Sequence, residues 1–164
     1  MIREYQPGDH VAIAEIFTRA IHEIASEVYT PEQCFAWSDR KPDPEHWEKR
    51  CALKRPFVAV MNGRIAGFLE LDPDGHIDCA YTSPDFARRG VMTRLVKQAV
   101  GRAFDSGVRR VHVEASICAA PMFAKCGFRV IEENTVDIGG VKLVNYQMEL
   151  LEKPPDQFPP SAGS

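Results

Sequence analysis

The residues Ala87-Arg88-Arg89-Gly90-Val91-Met92 lie between a stretch that alternates like a strand and a run with helical spacing. Two guanidinium groups and a glycine therefore stand where a helix begins. Backbone N–H groups in a first helical turn lack intrahelical partners and sit at the positive end of the macrodipole, so a pyrophosphate there gains hydrogen bonds and a favourable field together. Gly90 lets the backbone come close. Downstream, Val91, Leu95, Val96, Ala99, Val100, Ala103 and Phe104 form an apolar stripe, while Thr93, Arg94, Lys97, Gln98, Arg102 and Asp105 take the other face. Upstream, His76 to Thr82 reads as a strand. Its alternation sets His76, Asp78, Ala80 and Thr82 on one face and Ile77, Cys79 and Tyr81 on the other, so an imidazole and a carboxylate share a face of the strand that feeds the loop.

The loop has neither the G-x-G-x-x-G spacing of a dinucleotide fold nor the G-x-x-x-x-G-K-[ST] spacing of a nucleotide triphosphatase. The 164-residue chain carries a net charge of −3, unevenly spread: residues 1 to 50 hold ten acids and six bases, residues 83 to 129 three acids and nine bases. A basic middle suits a polyanion. The bases are not interleaved with stacking aromatics and match no nucleic-acid motif, which favours a small phosphorylated cofactor over nucleic acid. Five cysteines without C-x-x-C spacing point to reduced thiols, with neither a disulfide framework nor a zinc site expected. With no apolar run near membrane length and no secretory leader at Met1-Ile2-Arg3-Glu4, no membrane association and a cytoplasmic protein are expected.

The other elements follow from periodicity and caps. Ile2 to Tyr5 reads as a strand, broken by Pro7-Gly8-Asp9 before a helix with core face Ile13, Phe17, Ala20, Ile21 and Ile24. Thr30-Pro31-Glu32-Gln33 is a capping box opening a second helix towards Trp37, and Asp43-Pro44 starts a third through His46, Trp47 and Arg50. Phe57 to Met61 and Arg64 to Leu71 form a hairpin across Asn62-Gly63. After the long helix, Val108 to Ala115 is a strand, Pro121 to Lys125 a short helix ended by Gly127, and Phe128 to Asp137 pairs with Val141 to Leu150 across Gly139-Gly140. One domain over residues 1–152 is expected, with a flexible tail at residues 153–164 rich in proline, serine and glycine.

This order, with the loop, resembles the GNAT superfamily of N-acetyltransferases over residues 1 to 150. The acyl-CoA pattern [QR]-x-x-G-x-[GA] falls on Ala87 to Met92, with Ala87 for the usual Gln or Arg and Met92 for a small residue. Ala120-Pro121-Met122-Phe123-Ala124-Lys125-Cys126-Gly127-Phe128 is similar to the family's short helix closed by Gly-Phe. The resemblance implies an α/β (α+β) fold with a mixed, mostly antiparallel sheet flanked by helices and a splayed parallel strand pair for CoA. It places pantetheine along Ala80, Tyr81 and Thr82 and the pyrophosphate at Arg88, Arg89, Gly90, Val91, Met92 and Thr93. Ser116 and Lys125 are further contacts to the pantetheine arm or the nucleotide end.

The implied activity is acetyl-CoA-dependent transfer to the amine of a small molecule or peptide, by direct attack in a ternary complex. Asp78 is the first candidate for the base, with His76 its partner or substitute; Asp78 could equally bond a neighbouring strand. Glu114 is a third candidate, with Arg109 and Arg110 as alternative ion-pair partners. Phe123 stands where many relatives place a tyrosine that can donate to the CoA sulfur, which leaves water, Tyr146 or Ser116 as donors. The acceptor is expected among Glu23, Glu27, Tyr29, Trp37 and Asp39, as a cationic amine. A non-catalytic acyl-CoA sensor or tethering module is the alternative function. A homodimer is left open.

Overall fold

The computed structural model describes residues 1–155. Its elements are β1 (Ile2–Glu4), α1 (Asp9–Arg19), α2 (Pro31–Trp37), α3 (Pro44–Lys54), β2 (Phe57–Met61), β3 (Arg64–Leu71), β4 (His76–Thr82), α4 (Val91–Asp105), β5 (Val111–Ser116), α5 (Ala120–Lys125), β6 (Arg129–Ile138) and β7 (Val141–Leu150). Of the expected tail, residues 153 to 155 are exposed and lie along a groove between α4 and α5. Residues 156–164 lie outside the described residues.

One seven-stranded sheet runs β1-β2-β3-β4-β5-β7-β6, antiparallel throughout except for the β4–β5 pair. Strict alternation on β2 explains its two-sided burial. Val58 meets Ile13, Ala14, Ile16, Trp47 and Cys51 of α1 and α3, while Phe57 and Ala59 join the cluster under α4 and α5. The amphipathic stripe of α4 buries Val91, Leu95, Val96, Ala99, Val100 and Ala103 there, with Ile77, Val111, Val113 and Met148 from the sheet. Burying a side chain such as Leu95 stabilises by roughly 1.5–3 kcal/mol.

The caps read from sequence form as expected. Thr30 Oγ1 accepts from Gln33 N and Gln33 Oε1 from Thr30 N; Asp43 caps α3 through His46 N. Both hairpin turns take the positive φ angles their residues favour, Asn62 and Gly63 at 53° and 73°, Gly139 and Gly140 at 58° and 88°.

Three expectations need correction. The helix expected through Ile24 is α-helical only to Arg19, then widens to a π turn over Ala20–Ile24 and tightens to a 3₁₀ turn over Ala25–Glu27. The strand expected from Val108 begins at Val111, the preceding residues making the turn out of α4. The third concerns β4. Leu69 pairs with Ala80 but Leu71 with Ile77, so Asp78 and Cys79 together oppose Glu70 in a β-bulge. The extra residue breaks the alternation. Asp78 and Cys79 both face Arg50 of α3, while Ala80 turns to the α4 side with Ile77.

Candidate active site

β4 and β5 pair at two positions, His76 with His112 and Ile77 with Val113. Beyond these the strands separate, because the β4 bulge diverts one while β5 continues straight along β7 to Ser116. A cavity of about 400 Å³ opens at this splay. Ala80, Tyr81 and Thr82 of β4 line one wall, Ser116, Cys118, Ala119 and Met122 another, and Ala87, Arg88, Gly90, Val91, Met92 and Thr93 the α4 end. Ala20, Ile24, Ala25, Glu27 and Trp37 close the side of the π turn and α2.

The start of α4 is built to leave its amides available. Its N-cap is Gly90 at φ 73°, which supplies no side-chain cap, in contrast to the capped starts of α2 and α3. Arg88 also takes a left-handed φ of 63°, a conformation costly for a residue with a side chain. Gly67 of β3 sets the approach of this helix: a Cβ there would lie 3.0 Å from Val91 Cγ1 and 3.0 Å from the Tyr81 carbonyl oxygen. Asp85, just before the loop, accepts from Arg19 at 3.0 Å and Arg64 at 2.9 Å, tying the loop to α1. These two guanidinium groups hold the Asp85 carboxyl far below the usual range.

The two arginines of the loop part company. Arg88 lines the cavity, whereas Arg89 lies over the Phe86 ring at 5.7 Å and is not among the lining residues. Lys125 belongs to the separate groove with Lys97 and Lys153. Phe123, expected beside the CoA sulfur, is 1% exposed and packs edge-on to Phe128 in the core; Met122 is the α5 side chain that reaches the cavity. Tyr146 packs on the same core, paired with Ala115.

None of Asp78, His76 and Glu114 lines the cavity. Asp78 accepts from Lys54 at 2.8 Å and Arg50 at 3.1 Å; burial pushes its pKa up, but the Lys54 bond and the two cations outweigh this and lower it. Arg50 also grips the fully buried Glu70 through both oxygens at 2.7 Å. Asp78 therefore belongs to the network that pins α3 to the bulge. His76 Nε2 lies 2.6 Å from Glu114 Oε2. Partial burial lowers the His76 pKa, yet the Glu114 bond and the nearby carboxylates raise it overall.

Among the residues expected to receive the acceptor, Glu27 and Trp37 line the cavity. Glu23 is taken by Arg19, bonded at 2.7 Å. Tyr29 is a buried tie: its hydroxyl donates to the Val144 carbonyl at 2.6 Å and accepts from Ile117 N at 3.0 Å. Asp39 is exposed beyond α2. Trp37 Nε1 donates to Tyr81 Oη at 3.2 Å, joining the acceptor side to β4. Sequence reasoning missed Asn145. It pairs with Ser116 across β5 and β7, and its Oδ1 is buried with no hydrogen-bond partner among the described residues. Nothing in the local pattern of β7 marks it, because its neighbour comes from another strand.

Comparison with known proteins agrees with this architecture. Residues 25–150 match the family model described as an acetyltransferase (GNAT) domain. The chain is 33% identical over 147 residues to the uncharacterized N-acetyltransferase YafP of Escherichia coli (strain K12), covering 90% of this chain and 93% of that one. A solved GCN5-related N-acetyltransferase from Rhodopseudomonas palustris superposes with a TM-score of 0.84 at 33% identity, covering 91% and 93% of the two chains. The fold is shared with yncA of Salmonella typhimurium, a putative acetyltransferase solved with acetyl-CoA, at a TM-score of 0.70, 19% identity and coverage of 99% and 98%. On the family model and these relatives together, the chain belongs to the GNAT acetyltransferases.

Proposed function

We propose that this chain transfers the acetyl group of acetyl-CoA to a cationic amine of a small molecule or peptide, with both substrates bound in one cleft. The observation that carries this reading is the meeting of two unsatisfied backbone segments in one cavity: β4 beyond the bulge, unpaired with β5, and the uncapped first turn of α4. An extended amide-bearing arm suits the first and a pyrophosphate the second. Ala80, Tyr81 and Thr82 would hold the pantetheine, and Arg88 with the amides of Gly90 to Thr93 the pyrophosphate. Acetyl-CoA supplies the activated acetyl group; the chain must orient it, exclude water and take up the acceptor's proton.

Glu27 is the one carboxylate among the cavity-lining residues, which also include Cys118. It suits an ammonium group, and it can accept the released proton through water. Trp37 and Tyr81, their ring centroids 6.3 Å apart, give the cavity an aromatic surface on which a cation gains further attraction. Asp78, already bonded to two cations, is assigned to the architecture of the bulge.

Thiol release from acetyl-CoA, measured against a panel of polyamines, aminoglycosides, amino acids and peptides, tests the proposal. Amine-dependent release is expected, with Glu27→Gln raising KM for the amine. CoA binding without release for any amine would favour a non-catalytic acyl-CoA-binding module instead.

A further inference from the structure

We propose that His76, His112 and Glu114 form a binding site for a divalent transition-metal ion, Zn²⁺ above all, that ties β4 to β5 at the base of the cleft. A ligand atom from each of the three lies within 4.8 Å of the others. The topology explains the juxtaposition. His76 and His112 are direct partners across the parallel pair, and Glu114 follows His112 by two residues, on the same face of β5. The two imidazoles stack at 4.8 Å with an interplanar angle of 17°.

Two imidazoles and a carboxylate are the donor types that zinc prefers outside thiolate sites. The surroundings strengthen the assignment. His76 Nδ1 lies 3.4 Å from Asp72 Oδ2, so Asp72 can hold the Nδ1–H tautomer and turn the Nε2 lone pair towards Glu114, as outer carboxylates do around metal-bound histidines. Asp74 Oδ2, 3.9 Å from His112 Nε2, offers a further oxygen. The side chains of His76, His112 and Glu114 are 22%, 24% and 44% exposed, which leaves an entry path for the ion. The ion would replace any proton shared between His76 and Glu114, releasing it to solvent.

The site is separate from the acyl cleft, none of whose lining residues it uses. Its position gives it a structural consequence. His76–His112 is one of the two pairs joining β4 to β5, and the strands part immediately beyond. A cross-strand ion adds a tie at the vertex of that splay, independent of which amine is acetylated.

Isothermal titration of tag-free, chelator-treated full-length protein with ZnCl₂ tests the site, with Co²⁺ absorption spectra reporting coordination. One ion per chain is expected, with proton release and a raised thermal midpoint. His76→Gln with His112→Gln should raise the Kd for Zn²⁺ at least about tenfold, as should Glu114→Gln alone; Asp72→Asn should raise it by about 10- to 100-fold. Far-ultraviolet circular dichroism checks that each variant is folded. No stoichiometric Zn²⁺ binding by the wild type, or equal affinity in a folded Glu114→Gln or double-histidine variant, overturns the assignment.

Discussion

Removing Arg50 should expose how strongly the β4 bulge depends on one guanidinium group. Glu70 is 0% exposed, and both of its oxygens bond Arg50 at 2.7 Å; Asp78 and Cys79, the bulged pair, accept from the same side chain at 3.1 and 3.3 Å. Arg50→Ala leaves the Glu70 carboxylate buried without its cation, a loss of about 3–5 kcal/mol. Against a total stability of roughly 5–15 kcal/mol this is severe, equivalent to about 6–20 °C in thermal midpoint for a domain of this size. Replacing both partners, as Arg50→Met with Glu70→Leu, removes the stranded charge and should recover most of that loss. It does not restore the grip on Asp78. The double variant should therefore regain stability while its Kd for CoA stays raised by at least about tenfold, roughly 1.4 kcal/mol. Urea unfolding followed by circular dichroism gives the stabilities, and calorimetric titration the affinities. A loss below about 1 kcal/mol in the single variant would refute the reasoning about the buried charge. Wild-type CoA affinity in the double variant would refute the link between Arg50 and the cleft.

Arg88→Glu should raise the Kd for CoA at least about tenfold, with a weaker dependence on salt than the wild type, whereas Arg89→Glu should do much less; titration at two ionic strengths separates them. Phe123→Tyr should cost about 1–3 kcal/mol in unfolding free energy without raising turnover, because the added hydroxyl enters a core where Phe123 is 1% exposed. The pH profile of stability follows from Asp78 and Asp9. Burial opposes their ionisation, but Lys54 with Arg50 and Arg3 with the Gln6 amide more than compensate, so both folded pKa values lie below the unfolded value of about 3.9. A depressed folded pKa means that the stabilisation is complete above the unfolded value and is lost as pH falls through the folded one; urea midpoints should drop below about pH 4.

Local chemistry carried much of this molecule in legible form. The hairpin turns at Asn62-Gly63 and Gly139-Gly140, the caps at Thr30 and Asp43, and the apolar stripe of α4 depend on residues a few positions apart, and each formed where those residues stand. The helix start at Gly90 was legible for the same reason, since an uncapped glycine N-cap is a property of one short segment. Tertiary contacts decided the rest. The bulge at Asp78 and Cys79 exists because β3 and β4 pair out of step by one residue, a registration between strands that β4 alone cannot express, and it turned Asp78 from a cleft acid into an ion-pair partner of α3. Packing between distant elements likewise separates Arg88 from Arg89 and buries Phe123, and strand pairing sets Asn145 beside Ser116 and His112 beside His76. Sequence determined which segments bend, cap and bury; only the packing of distant elements determined which side chains face the cleft, because on the strands facing depends on register, and register is a relation between two strands.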